Sequence, residues 1–265
     1  MLNILTLNLM QKAPGSSMRS RLNDIVEYIS IMDERPEVFL IQEGCGGLVN
    51  LTFNSIRLLA KKLEKKLGKK FYYYSKSCSV WYVRPFADFK VGIISEHPIL
   101  EKDYERLLTK FKLKESTTWK EWAIEFATNY VMFSKRPIVK AKINIPLMGD
   151  INFYSTHLGN YDLYVQSFML RKYLEDLVIF GGDFNYLSDS QAYRLLNIKY
   201  IDCEIEGSTY GARNNPYCDY VGRNDYKIDY IFIGSEFKIL ETKIIFNGAN
   251  GPFVSDHCGV YTRIK

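Results

Sequence analysis

The chain has 265 residues, of which 47% are hydrophobic and 25% charged, proportions that exclude a disordered or fibrous polypeptide and allow a large buried core. The formal charge of +5 suits an anionic partner such as nucleic acid, a phosphoinositide or a membrane surface, without requiring one. The five cysteines, Cys45, Cys78, Cys203, Cys218 and Cys258, are an odd number with no CxxC or metal-ligand spacing, so they read as free thiols in a reduced compartment. The opening MLNILTLNLM has no basic stretch and no cleavage site, and no segment is apolar for the roughly 18 residues that a membrane helix needs. The expectation is a soluble monomer, cytoplasmic by default, with export by a signal-less route left open.

In chain order, alternation predicts a first strand over 2–9, and a Pro/Gly/Ser turn follows at 13–17. Leu22, Ile25, Val26, Ile29 and Met32 recur at helical spacing until Pro36, which predicts an amphipathic helix. The apolar run 38–42 predicts a short buried strand that ends at Glu43. A second helix covers about 53–67, where Arg57, Lys61, Lys62, Lys65 and Lys66 interleave with Ile56, Leu59, Ala60, Leu63 and Leu67. That basic run, which continues to Lys69 and Lys70, reads first as a solvated helix face and second as an anion-binding surface. Strands are expected at 71–75, 80–83 and 91–95, and 101–129 has no readable pattern, as in an inserted loop or hairpin. Strands resume at 138–145 and 151–157, then a helix at 162–177, a strand from 178, a helix at 190–196, and strands at 228–233, 242–246 and 260–264. With no linker and no repeat, this pattern predicts one α/β sandwich domain over 1–265, of mixed sheets covered by helices.

The strongest local motif is Gly181-Gly182-Asp183-Phe184-Asn185. A buried strand ends in two glycines that let backbone approach a ligand closely, then presents Asp183 and Asn185 on alternate positions. A carboxylate can hold or activate water, and a neighbouring amide can donate to a developing oxyanion. The same residue types are also common in an ordinary turn. In Lys227-Ile228-Asp229-Tyr230-Ile231-Phe232, Asp229 lies in an otherwise apolar strand, where it needs a partner to be buried. His257, in Ser255-Asp256-His257, is the candidate partner, because the pairing would orient the imidazole and raise its basicity. His157 ends an alternating strand, Glu43 ends an apolar one as a ligand for a hard cation, and Asn8 ends the first. All these residues fall at or near strand termini, where α/β folds build their sites.

In order, LN at Asn8, QE at Glu43, SxHPI around His97, THL at His157, GDFN at Asp183 and Asn185, IDYIF at Asp229 and SDH at His257 resemble the endonuclease/exonuclease/phosphatase superfamily over nearly the whole chain. The resemblance implies a four-layer α/β sandwich, two facing mixed β-sheets flanked by helices, with the site at one end. It implies Glu43 as the main metal ligand, with Asn8 beside it and Asp256 near the same metal, for Mg2+ or alternatively Mn2+. It implies that Asp183 and Asn185 position the attacking water and the phosphoryl oxygens, and that His157 contacts the phosphate. His257, oriented by Asp229, is then the general base or transition-state stabiliser. The implied reaction is phosphoester hydrolysis. Ile94-Ser95-Glu96-His97-Pro98-Ile99 and the stretch from Thr209-Tyr210-Gly211 to Asn215-Pro216 are similar to neutral sphingomyelinases, which makes a phosphodiesterase of the sphingomyelinase or phospholipase C type the first expectation. An endo- or exonuclease on DNA or RNA is the alternative, and an inactive binding module is disfavoured because the main chemical positions are filled. The partner is then a lipid headgroup or nucleic acid. Trp81 and Tyr82 are candidates for peripheral membrane contact, although sheet core is the simpler reading of such aromatics.

Overall fold

The computed structural model describes residues 1–11, 13–47, 54–78, 88–108, 119, 135–218 and 225–265. Its first half comprises β1 (Leu2–Asn8), α1 (Met18–Ser30), β2 (Val38–Gly46), α2 (Ser55–Leu67), β3 (Tyr72–Ser77) and β4 (Asp88–Ser95). Then come β5 (Ile99–Leu108), β6 (Lys135–Ile145), β7 (Gly149–His157), α3 (Leu163–Tyr173), β8 (Val178–Asp183), α4 (Gln191–Asn197), β9 (Ile201–Asp202), β10 (Asp229–Ile233), β11 (Ile239–Ile245) and β12 (Gly259–Ile264). Side chains cap α1, α2 and α4: Ser17 accepts from the Ser20 amide, Asn54 from Arg57 and Ser190 from Tyr193, each satisfying an amide that the helix cannot.

The strands form two six-stranded mixed sheets, ordered β11-β12-β1-β2-β4-β3 and β5-β6-β7-β8-β10-β9. Three apolar clusters define the layers. Leu5, Leu7, Phe39 and Ile41 pack against Leu22, Ile25, Leu59 and Leu63 of α1 and α2. Ile4, Leu40, Ile93, Val139, Phe153, Ile179 and Ile231 fill the space between the sheets. Tyr154, Phe180 and Phe232 pack against Leu170 and Leu196 of α3 and α4. Helices, sheet, sheet, helices is the four-layer α/β sandwich expected from the sequence, and within the regular parts of the strands period two decides which side chains face the second sheet.

Three elements depart from expectation. β2 does not stop at Glu43 but continues to Gly46, with an irregularity between Ile41 and Gly44 in its pairing with β4. The unreadable segment opens with a regular strand, because Glu101–Leu108 of β5 pairs residue by residue with β6. Its remaining residues, and the strand expected at 80–83 with Trp81 and Tyr82, lie outside the described residues. The helix expected to reach 177 ends at Tyr173, where Leu174 turns extended.

The two glycines before Asp183 make room for neighbouring strands. A Cβ on Gly181 would stand 2.7 Å from the Tyr230 carbonyl oxygen, and one on Gly182, at φ 153°, would stand 1.9 Å from the Thr156 oxygen. Close approach is therefore required, but toward β10 and β7. Gly182→Ala combines a forbidden backbone conformation with a backbone clash, and about 3 kcal/mol of destabilisation is expected. Chemical denaturation of the purified variant checks this; an unchanged midpoint would show that β7 and β8 are not this close.

Candidate active site

Registry across the second sheet builds one wall of the site. His157 pairs with Asp183 on β7 and β8, and Asp229 pairs with Asp183 on β10 and β8. Three strands thus carry His157, Asp183 and Asp229 in one row, at the end of the sheet nearest Asn8. In the first sheet, Asn8 pairs with Gln42 and shares the inward face of β1 with Ile4 and Thr6. Strict alternation would turn Glu43 outward with Phe39 and Ile41, toward the helices. Residues Gln42 and Glu43 together oppose Val91, and Glu43 has φ 50°, which is a bulge that re-aims a side chain. Glu43 consequently points at Asn8.

Asn8 joins the two sheets. Its Nδ2 donates to Asp183 Oδ2 at 3.1 Å and lies 3.4 Å from Glu43 Oε1, while its Oδ1 accepts the Met10 amide at 2.9 Å. The Gln11 amide donates to Glu43 Oε2 at 3.2 Å. Asp183 Oδ1 accepts the amide of Asn185 at 3.0 Å, and Asn185, at φ 54°, donates its side-chain amide to Leu158 O at 2.8 Å. Asn185 therefore lies just beyond the strand, turned toward the exit of β7.

His257 arrives from the loop before β12. Its Nδ1 lies 2.9 Å from Asp229 Oδ2, and its Nε2 lies 3.7 Å from Asp183 Oδ2. His157 Nε2 is 3.3 Å from the same Asp183 oxygen. Thr209 fixes this geometry: its Oγ1 accepts the amides of Ile228 and Asp229, both at 3.0 Å, and its carbonyl accepts the Cys258 amide at 2.7 Å. The Tyr210 ring stands 4.7 Å from the His257 ring. Ser255 Oγ accepts the His257 amide at 3.2 Å and donates to Asp256 Oδ1 at 3.1 Å.

Electrostatics follow from burial. Desolvation raises the Asp183 pKa to about 7, helped by the charges of Asp229 and Glu43 and opposed by His257. Desolvation, then the charge of Asp256, raises Glu43. Burial alone would lower His257, but the carboxylates of Asp229 and Asp183 outweigh it and hold it at about 10. His157 is driven well below its usual value by burial, Arg136 and His257. At neutral pH the pair is thus a neutral His157 and a charged His257 on either side of Asp183.

The expected residues Glu43, His157, Asp183, Asn185, Asp256 and His257 line one cleft of about 450 Å³, together with Arg136, Asn160, Tyr210, Tyr226 and Ile228. A larger depression of about 860 Å³, bounded by Glu204, Glu206, Arg213 and Lys243, includes none of these residues. His97 of the SxHPI motif stands apart, 2.7 Å from Glu37. Sequence reading missed Arg136, an arginine at the start of a strand with no motif around it. It also noticed Thr209 and Tyr210 only as a resemblance.

The donor set suits a hard divalent cation, which prefers oxygen ligands. Glu43 and Asp256 face the cleft with mutual repulsion, and Asp229 Oδ1 is buried with no hydrogen-bond partner among the described residues. Carboxylates so uncompensated are what a cation stabilises. Glu43 and Asp256 would hold it. Asn8 lies beside them, but turns its nitrogen toward the carboxylates and commits its oxygen to Met10. Asp183, Asp229 and His257 form a second group with ligand atoms within 4.8 Å of one another, and there the ring nitrogens already serve the two carboxylates.

Residues 3–257 match the endonuclease/exonuclease/phosphatase family. The chain belongs to that family, whose members are generally hydrolases of phosphoester bonds and typically use a divalent metal. An endonuclease/exonuclease/phosphatase family protein from Leptotrichia buccalis superposes with a TM-score of 0.74 at 22% identity, covering 100% of both chains. The mannosyl-6-phosphatase Bt3783 of Bacteroides thetaiotaomicron gives 0.65 at 16% identity, again with 100% of both chains covered. The human Nocturnin catalytic domain, solved with a bound sulfate anion, gives 0.63 at 14% identity over 100% of this chain and 93% of that one. Among curated proteins no sequence match is found.

Asp229→Asn keeps shape and removes the charge that holds His257. Turnover should fall by about 10⁴-fold, the loss typical when an imidazole loses its orienting carboxylate, while the fold survives. In the metal-free protein, the His257 ring should titrate below the value of about 10 set by its two carboxylates, because one stabilising anion is gone. NMR of the imidazole checks this directly; an unmoved titration would separate Asp229 from His257.

Proposed function

We propose that the protein is a divalent-metal-dependent phosphodiesterase acting on a lipid headgroup, of the sphingomyelinase or phospholipase C type, with Mg2+ as its ion and Mn2+ as a substitute. The observation that carries this reading is the charge of the site. Glu43, Asp183, Asp229 and Asp256 contribute four formal negative charges, against one each from Arg136 and a protonated His257. A divalent cation offsets most of that excess of acidic groups. A singly charged phosphodiester then meets less repulsion than a doubly charged monoester.

In this reading Asp183 holds the attacking water and takes its proton, which a carboxyl titrating near neutrality does well. His257, charged and braced by Asp229, stabilises the charge that builds on the phosphoryl oxygens, and neutral His157, Asn185 and Arg136 orient the phosphate. A metal held by Glu43 and Asp256 would supply further charge stabilisation. The lipid assignment draws support from the rim. Asn160 lines the cleft, and the helix that begins three residues later exposes Tyr164, Val165 and Phe168 by 51%, 48% and 44%. An exposed apolar patch that includes an amphipathic tyrosine suits a lipid–water interface.

A nuclease is the second reading, favoured by one feature. Lys70 stands over Tyr72 and Lys76 over Tyr74, and Lys76 and Arg106 both lie over Tyr104, with cation-to-ring distances of 4.1–5.6 Å. Alternating cations and rings on β3 and β5 suit a polynucleotide. The deciding assay sets sphingomyelin and lysophospholipid vesicles against single- and double-stranded DNA, RNA, phosphoinositides and a sugar 6-phosphate, with Mg2+ and with excess EDTA. Headgroup release from the lipid diesters, abolished by EDTA, is expected. Preference for a polynucleotide or for the sugar monoester would overturn the substrate assignment, and full activity in EDTA would overturn the metal.

A further inference from the structure

Arg21 is the one charged residue on the buried face of α1, four positions before Ile25 and beside Leu22. It is 1% exposed. Its guanidinium reaches two loops far apart in sequence, the one after β1 and the one before β12. Nη1 donates to Leu9 O and, at 2.8 Å, to Val254 O; Nη2 donates to Met10 O at 2.7 Å. Leu9 and Met10 follow directly on Asn8, and Met10 sits at φ 46° while its amide holds Asn8 Oδ1. The next amide, that of Gln11, holds Glu43. Val254 precedes Ser255, which holds the His257 amide and meets Asp256.

We infer that Arg21 is a positioning residue, which sets the separation between the Asn8–Glu43 half of the site and the Asp256–His257 half. A guanidinium presents its donors in a rigid planar fork, so it can span three carbonyls at fixed angles. A lysine cannot, although it keeps the charge. Burial lowers the pKa of Arg21, opposed by Tyr217, Cys45, Asp256 and Glu43, so the cation also sits where the carboxylates of both halves feel it. The ladder between β1 and β12 ends at Thr6 and Val260, two residues short of Asn8 and three short of His257, and Arg21 ties the two loops together beyond that end.

The assignment rests on the proposed metal-assisted site, and its test reads the metal separately from the reaction. Arg21→Lys is compared with the wild type in two measurements: hydrolysis of bis(p-nitrophenyl) phosphate at saturating Mg2+, and Mn2+ binding by calorimetry without substrate. The variant should melt cooperatively and lose about 100-fold in kcat, as a displacement of about 1 Å between reacting groups does. KM should change by less than about twofold. Mn2+ affinity should weaken by about tenfold, the usual result of losing support behind a ligand. A folded Arg21→Lys with wild-type kcat and Mn2+ affinity would overturn the proposal. So would failure of both Arg21→Lys and Arg21→Gln to fold, since the residue would then serve stability alone. If the wild type hydrolyses no diester, the proposed reaction fails, and the Mn2+ measurement still decides the role of Arg21.

Discussion

Four carboxylates are held at one end of a β-sandwich, Asp183 and Asp229 buried and Glu43 and Asp256 half-buried at the cleft. Neighbouring like charges repel more strongly where burial lowers the dielectric, and the two buried carboxylates also lose hydration. Most polar features nearby answer that cost. Asn8 divides its amide between Glu43 and Asp183. His257 takes up a proton and sits between Asp183 and Asp229, and Arg136 lies in the cleft wall beside them. Arg21 brings a third buried cation beneath the loops. The compensation is incomplete, as the raised Asp183 and Glu43 and the unpaired Asp229 Oδ1 show. That residue of uncompensated charge is the physical basis for expecting a cation.

Much of this was legible in the sequence because strands have period two and end abruptly. Asp183, His157 and Asp229 each close or open an apolar run, and parallel or antiparallel pairing then puts strand ends side by side. An aspartate inside Ile228–Ile233 had to find a partner, and His257 is that partner at 2.9 Å. Glu43 was found for an incomplete reason. As the end of a strand it could point either way, and only a bulge, which leaves no mark in hydropathy, turns it inward. Thr209 works through backbone groups, which residue type does not announce. Arg136 is one basic residue among many. Arg21 left a trace, a charge on an otherwise apolar helix face, but such a charge more often snorkels to solvent.

The glycines before Asp183 carry a similar lesson. Their presence beside a carboxylate suggested close approach of a ligand. What approaches is the backbone of β7 and β10, and the effect on the site is indirect: crowded strands hold Asp183 between His157 and Asp229. Fold similarity at 14–22% identity fits this division of labour. Apolar core positions tolerate exchange if volume and pattern persist, whereas the cleft rim that selects a substrate is free to differ.

The central claim is that the charge deficit is met by a cation at Glu43 and Asp256, leaving Asp183, Asp229 and His257 to act on the substrate. Crystals soaked in Mn2+ and measured for anomalous scattering test it most directly. The account predicts a single strong peak within coordination distance, about 2.0–2.6 Å, of Glu43 and Asp256, with the His257–Asp229 hydrogen bond intact. A peak instead among Asp183, Asp229 and His257, with His257 turned away from Asp229 to bind it, would contradict the account.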